Sequence, residues 1–192
     1  MSMMLFSGTP GSYKSYHVVT EILKWLSWCR DVIANFPVDP SKFYKGNKLK
    51  KLGKFYFVPN SELTVDYLLN HHNKYHTPGI KAQTLVVFDE ASIPFNSRQF
   101  DRQDRMEWVN FFANHRHFNF DVILIAQNDR MLDRQIRSLL EYDYKFRAIK
   151  NMNLAMMIAS LICKGLYHIV VIWYPCKLKT ETKLCKFNIK KA

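Results

Sequence analysis

Short apolar runs alternate along the chain with segments whose apolar residues recur every three or four positions. That alternation predicts a mostly parallel sheet joined by crossover helices, the α/β class. MMLF (3–6) predicts the first strand. Behind it, Val18, Ile22, Trp25, Leu26 and Cys29 form one apolar stripe of a helix lying on the sheet. DVIANFPV (31–38), closed by Pro37 and Pro40, and KFYFV (54–58) predict strands on either side of a lysine-rich loop, and a short helix follows over 61–70. QTLVVFDEAS (83–92) predicts a strand ending in two acids. FDVILIAQN (120–128) is apolar without alternation, as expected of a strand buried on both faces. Helices are expected over 101–117, with Arg98, Arg102 and Arg105 as an outer basic face, and over 130–142, with a strand at 142–149. From 150 onward the pattern changes to an apolar helix and two strands, LYHIVVIWY and TKLCKFNI, around a lysine-rich turn. The expected organisation is a core over 1–150 and an extension over 151–192, a helix and a strand pair packed on that core.

GTPGSYKS (8–15) adds chemistry to this frame. Gly8, Lys14 and Ser15 fall on the places of the phosphate-binding loop G-x-x-x-x-G-K-[ST], while Tyr13 stands where the second glycine belongs. The loop follows a strand and opens a helix, as the motif requires. Gly8 and Gly11 let the backbone curl so that amides face an anion at the helix N-terminus, and Thr9, Pro10, Ser12 and Tyr13 complete the nucleotide-contacting run. Lys14 would bridge the β- and γ-phosphates and the Ser15 hydroxyl would ligate Mg²⁺. Tyr13 is expected to take helical backbone angles, its ring turned away from the phosphates or stacked near the base.

LVVFDEAS supplies a second element. Asp89, at the end of a strand, can hold Mg²⁺, and Glu90 can polarise a water in line with the γ-phosphate; a helix-capping pair is the plainer reading of the same two acids. The strand ending in Gln127 brings an amide toward the same place, or else only satisfies backbone groups. For Gln127, Lys14 and Asp89 to share one crevice, that strand must lie between 3–6 and 84–88. Arg116 is a candidate to complete such a site in trans, against the plainer reading of a solvated or ion-paired arginine. The expected cofactors are ATP, or GTP, and Mg²⁺.

The formal charge of +12 makes polyanions the natural partners. Lys42, Lys45, Lys48, Lys50, Lys51 and Lys54 cluster in one loop, where they can contact nucleic acid or anionic lipid non-specifically or form a solvated face. Cys29, Cys163, Cys176 and Cys185 lack metal-site spacing, and no secretion signal precedes them, so a reducing compartment is expected. His71, His72 and His76 read as a polar helix end, in preference to a metal site. The longest apolar stretch, after residue 152, is cut by Lys164-Gly165 into core-length runs.

With the loop, VVFDEAS, ANHRHFNFDVILIAQNDRMLDRQIRSLLEYDYKFRAIKN and the strand pair in view, the chain resembles the zonula occludens toxin-like family of filamentous-phage assembly ATPases. The His-Arg-His, the strand ending in Gln, Asp133 followed by Arg137 and the aromatic-basic strand match in order. The resemblance implies a P-loop NTPase core of the RecA/FtsK kind. It also implies an oligomer in the host cytoplasm at the inner face of the membrane, with phage coat or assembly proteins or a membrane protein as partners, driving virion extrusion. Family loops usually carry glycine where Tyr13 stands. Members also continue into a transmembrane helix and a periplasmic part, so the sequence is expected to be a cytoplasmic portion or to work with a separate membrane protein. Two other functions fit the residues: a DNA-packaging or translocating ATPase of the FtsK/HerA kind, favoured by the charge, and a non-hydrolysing nucleotide-bound scaffold.

Overall fold

The structure, a computed structural model, describes residues 1–44, 51–98, 103–148, 168–175 and 186–191. Its strands are β1 (Met3–Gly8), β2 (Asp31–Ala34), β3 (Phe55–Phe57), β4 (Thr84–Phe88), β5 (Phe120–Ala126), β6 (Tyr142–Ala148), β7 (His168–Pro175) and β8 (Lys186–Lys191). Its helices are α1 (Lys14–Ser27), α2 (Val65–Tyr75), α3 (Arg105–Asn114) and α4 (Arg134–Leu139), with short 3₁₀ turns at Pro40–Lys42 and Asp129–Met131. One sheet runs β3-β2-β4-β5-β1-β6-β7-β8. The first six strands are parallel, and β7 and β8 add antiparallel beyond β6. The strand leading to Gln127 therefore lies between β4 and β1, as the site requires. The helix expected after residue 150, and the boundary drawn there, lie outside the described residues.

The continuous apolar runs explain the centre of this sheet. Every residue of β4 and β5 is buried, because helices cover both faces. Alternate residues serve opposite faces. Ile123 and Ile125 join Phe6, Val32 and Val87 under Val18, Ile22, Trp25 and Leu26 of α1. Val122 and Leu124 join Leu5, Val86 and Phe88 under Leu68 of α2, Trp108 and Phe112 of α3, and Ile136 of α4. Each such side chain contributes roughly 1.5–3 kcal/mol on burial, so the sheet holds its strand ends in fixed register.

Several boundaries move for local reasons. The second helix starts at Val65 rather than 61, because the Thr64 hydroxyl accepts the Tyr67 amide at 3.2 Å and caps it there. The segment expected as a helix over 130–142 is divided at Asp133, whose carboxylate accepts the Gln135 amide at 2.7 Å and starts α4. The same carboxylate takes Arg105 Nε at 2.8 Å. Arg105 is thus turned inward onto the carboxylate that caps the next helix, which corrects its place on an outer basic face; Arg102 lies outside the described residues. Though burial opposes it, the Arg105 guanidinium and the two amides hold the Asp133 carboxyl below its ordinary range.

One histidine also differs from expectation. His71 is 4% exposed and packs edge-on to Tyr56 with ring centroids 5.0 Å apart. His76 contacts the Phe118 carbonyl at 2.8 Å and the Thr84 hydroxyl at 2.7 Å. His71 is thus packed interior, whereas His72 and His76 lie half-buried at the end of α2, as expected of a polar helix end; no group suited to a metal ion occurs among the described residues. Burial pushes His71 down to about 4 and lowers His76 and His115 as well. Because the folded values lie below the unfolded one, this stability is complete above about pH 6.5 and is lost as the unfolded chain takes up protons below it. Urea titrations should show the unfolding free energy falling between about pH 6.5 and 4, with about 3 kcal/mol from His71 alone. A flat profile there would show these rings to be solvated.

Candidate nucleotide-binding site

The residues picked out by motif meet at the carboxyl edge of the parallel strands, around a cavity of about 570 Å³. The run from Pro10 to Tyr16, with Asp89, Glu90, Ser92, Ile125, Ala126 and Gln127, lines it. Gly8 and Thr9 lie beneath, where β1 turns into the loop. At Gly8 (φ 154°) an added Cβ would overlap the Phe146 carbonyl of β6 and sit 2.9 Å from Ser12 Oγ, so only glycine lets the loop lie this close to the sheet. Gly11 takes φ 73° in open space. Ser12 is buried, its hydroxyl without a hydrogen-bond partner among the described residues.

The Lys14 ammonium donates to the carbonyls of Gly8 and Thr9, the latter at 3.1 Å, and so lies inside the curl of the loop. Partial burial lowers its pKa, and the opposite charges of Asp89 and Glu90 offset part of that. Ser15, exposed in the first turn of α1, faces the same cavity. No side chain caps α1 and no acid occupies its first turn, so its N-terminal amides and dipole favour an anion.

Tyr13 departs from expectation. It is not helical: its φ is 62° and ψ 22°, the left-handed conformation, immediately before α1. That is the conformation for which a phosphate-binding loop uses glycine, and Tyr13 holds it at a cost of about 1–2 kcal/mol. Its ring packs on the core cluster around Phe6 and Phe146, as well as lining the cavity. The expected signature is an inverted order of variants. In denaturant unfolding Tyr13→Gly should be more stable than Tyr13→Ala by about 1 kcal/mol, the reverse of their ranking inside a helix. Alanine above glycine would place Tyr13 in the right-handed region.

Asp89 and Glu90 follow β4 directly. Asp89 is half-buried and Glu90 is exposed at φ 47°. Asp89 Oδ1 accepts the Glu90 amide at 2.9 Å, the Ile93 amide donates to the Glu90 carbonyl at 2.8 Å, and no helix begins here. The acids turn a loop into the cavity instead of capping a helix. Asn35, just past β2, secures that loop: its Oδ1 accepts the Asp89 amide at 2.7 Å and its Nδ2 donates to the Asp89 carbonyl at 2.9 Å. Sequence reading missed Asn35, which gains meaning only because β2 pairs with β4. Gln127 is exposed at the end of β5 and lines the cavity between the loop and the two acids.

Arg116 is placed elsewhere. It precedes β5, forms an ion pair with Glu141, and lies at the amino edge of the sheet, about 20 Å from the cavity along a seven-residue strand. Its own chain's crevice is out of its reach.

A central strand feeding a glycine-turned loop, a helix opened by Lys14-Ser15 and a nearby strand ending in two acids define a P-loop NTPase fold. The chain belongs to the zonular occludens toxin (Zot) family, whose sequence model matches residues 2–162. It is 27% identical over 146 residues to the Gene 1 protein of Escherichia phage If1, covering 73% of this chain and 39% of that protein. With the Gene 1 protein of Enterobacteria phage I2-2 it shares 31% identity over 74 residues, 38% of this chain and 20% of that one. The chain thus spans well under half the length of these relatives. Among solved structures it resembles the N-terminal domain of zonular occludens toxin from Neisseria meningitidis, with TM-score 0.57 and 16% identity over 98% of this chain and 93% of that one. B204, the DNA-packaging ATPase from Sulfolobus turreted icosahedral virus, gives TM-score 0.60 and 16% identity over 97% and 96%. At such identities the likeness establishes the fold.

Proposed function

We propose that the chain is the ATP-hydrolysing module of a filamentous-phage assembly machine, acting as an oligomer at the cytoplasmic face of the host inner membrane. The observation that carries this reading is the convergence of Lys14, Ser15, Asp89, Glu90 and Gln127 on one cavity beside an uncapped helix N-terminus. Family membership and the phage Gene 1 relatives supply the assembly context. Lys14 and the loop amides would hold the β- and γ-phosphates, Glu90 would accept the proton of the attacking water, and Gln127 would orient that water. The Ser15 hydroxyl and the Asp89 carboxylate are the hard oxygen donors that suit Mg²⁺, and they face the same cavity. That ion would spread the charge developing on the phosphoryl oxygens. An arginine completing the site would come from a neighbouring subunit, and Arg116 would have to leave Glu141 to serve. Phage coat or assembly proteins, or a membrane protein, would receive the motion. No helix of the described residues is long and apolar enough to cross a membrane.

A second reading, a DNA-translocating packaging ATPase, draws on the likeness to B204 and on the charge of +12. Phosphate release from an oligomeric sample with Mg-ATP tests the enzyme. Release no faster than buffer alone would leave a nucleotide-bound scaffold. Strong stimulation by DNA would favour translocation over export. Of the lysine cluster, Lys42, Lys51 and Lys54 are exposed, whereas Lys45, Lys48 and Lys50 lie outside the described residues. In the assembly reading Lys42 and Lys51, on the exposed part of this loop, would meet the membrane or the virion.

A further inference from the structure

A second concavity, of about 310 Å³, opens at the amino edge of the sheet, opposite the nucleotide cavity. It lies between the end of α1, the start of β2, the end of α2 and the turn into β4. Exposed rings and cations are interleaved around it. Trp28 is 52% and Tyr75 43% exposed. The Arg30 guanidinium stands 5.1 Å from the Trp25 ring and 5.6 Å from Trp28. Lys24 lies 5.0 Å from the Trp28 ring, and Lys54 and Lys74 lie 6.0 and 5.2 Å from Tyr75. Lys81 lines the far wall.

The acids nearby do not balance this charge. Glu21 is paired with Lys24 at 3.3 Å, and Asp31, which lines the concavity beside Arg30 and accepts the Lys54 backbone amide at 2.9 Å, leaves Lys54, Lys74 and Lys81 in excess. Large rings left half in water, already held beside cations, suit a ligand with flat faces and repeated negative charge. A duplex hides its base faces and could use only the cations. A lipid headgroup offers the rings nothing to stack on.

We propose that this concavity binds single-stranded nucleic acid, with Trp28 and Tyr75 stacking unpaired bases and Arg30, Lys54 and Lys81 taking the phosphates. The site is about one strand length from the nucleotide cavity, so both can be filled at once, and the assignment stands whether or not the protein turns over ATP.

The test is anisotropy of labelled oligo(dT) with the intact chain, against a duplex of equal length and anionic phosphatidylserine vesicles as competitors. The single strand should bind tighter than the duplex. Trp28→Ala and Tyr75→Ala should each weaken it about tenfold. Charge removal at Arg30 and Lys54 together should reduce the salt slope by about 1.4. Phosphate release without DNA should be unchanged in every variant. If Trp28→Ala fails to fold, Tyr75→Ala carries the stacking test. Equal affinity for the duplex, aromatic variants that bind like the parent, or displacement of the strand by vesicles at lower charge concentration would each overturn the proposal.

Discussion

Lys14→Ala is expected to cost the protein its nucleotide. Lys14 is the cation held within the loop, where its ammonium already sits among carbonyls that a phosphate oxygen would replace. Removing one partner of a desolvated charge pair weakens binding by roughly 2–5 kcal/mol, on the order of a hundredfold in affinity or more. Titration with a fluorescent ATP analogue should show that loss. The thermal midpoint should stay near the parent's, because the side chain's own contacts are hydrogen bonds at a solvent-accessible loop. Parent-like affinity in the variant would mean that the amides of α1 hold the phosphates alone and that the motif's lysine has another use here.

Glu90→Gln should give the opposite division. The amide keeps the shape and the turn at φ 47° but cannot accept a proton. Turnover should fall by about 10²–10⁴ while nucleotide affinity stays within a few-fold of the parent. Single-turnover phosphate release separates this chemical loss from slow product release. A variant hydrolysing at the parent rate would shift the base to another group lining the cavity. The Asn35 clamp matters to this outcome: with the Asp89 backbone fixed through both its amide and its carbonyl, the substitution at 90 changes chemistry and leaves position alone.

These expectations rest on a candidate site whose residues were largely visible in the chain. The phosphate loop and the Asp-Glu pair are local signals, since their geometry is fixed by a strand and a turn a few residues long. The apolar runs of β4 and β5 placed those turns at one edge, because strands buried on both faces belong inside a parallel sheet. Tyr13 was misread because its left-handed conformation is demanded by the curl of the loop, which glycine would have announced and tyrosine does not. Asn35 was illegible for a different reason: its partner is 54 residues away and only the β2–β4 pairing brings them together. The Arg105–Asp133 pair likewise depends on how α3 and α4 pack. His71 was misjudged because a polar residue beside other polar residues carries no sign that aromatic rings will enclose it.

The position of β1 has a consequence for how the molecule is made. Strand β1 is made long before either of its partners, since it is paired on one side with β5 and on the other with β6, and the Gly8 turn rests against Phe146. Residues 3–8, apolar over 3–6, must therefore wait unpaired until more than a hundred later residues have emerged. Closing so long a loop is slow, and an unsatisfied strand edge invites pairing with other chains. Shortened forms that stop before β6 should emerge as aggregates rather than as smaller folded cores. Chaperone holding of the nascent chain would then govern how much folded protein a cell obtains.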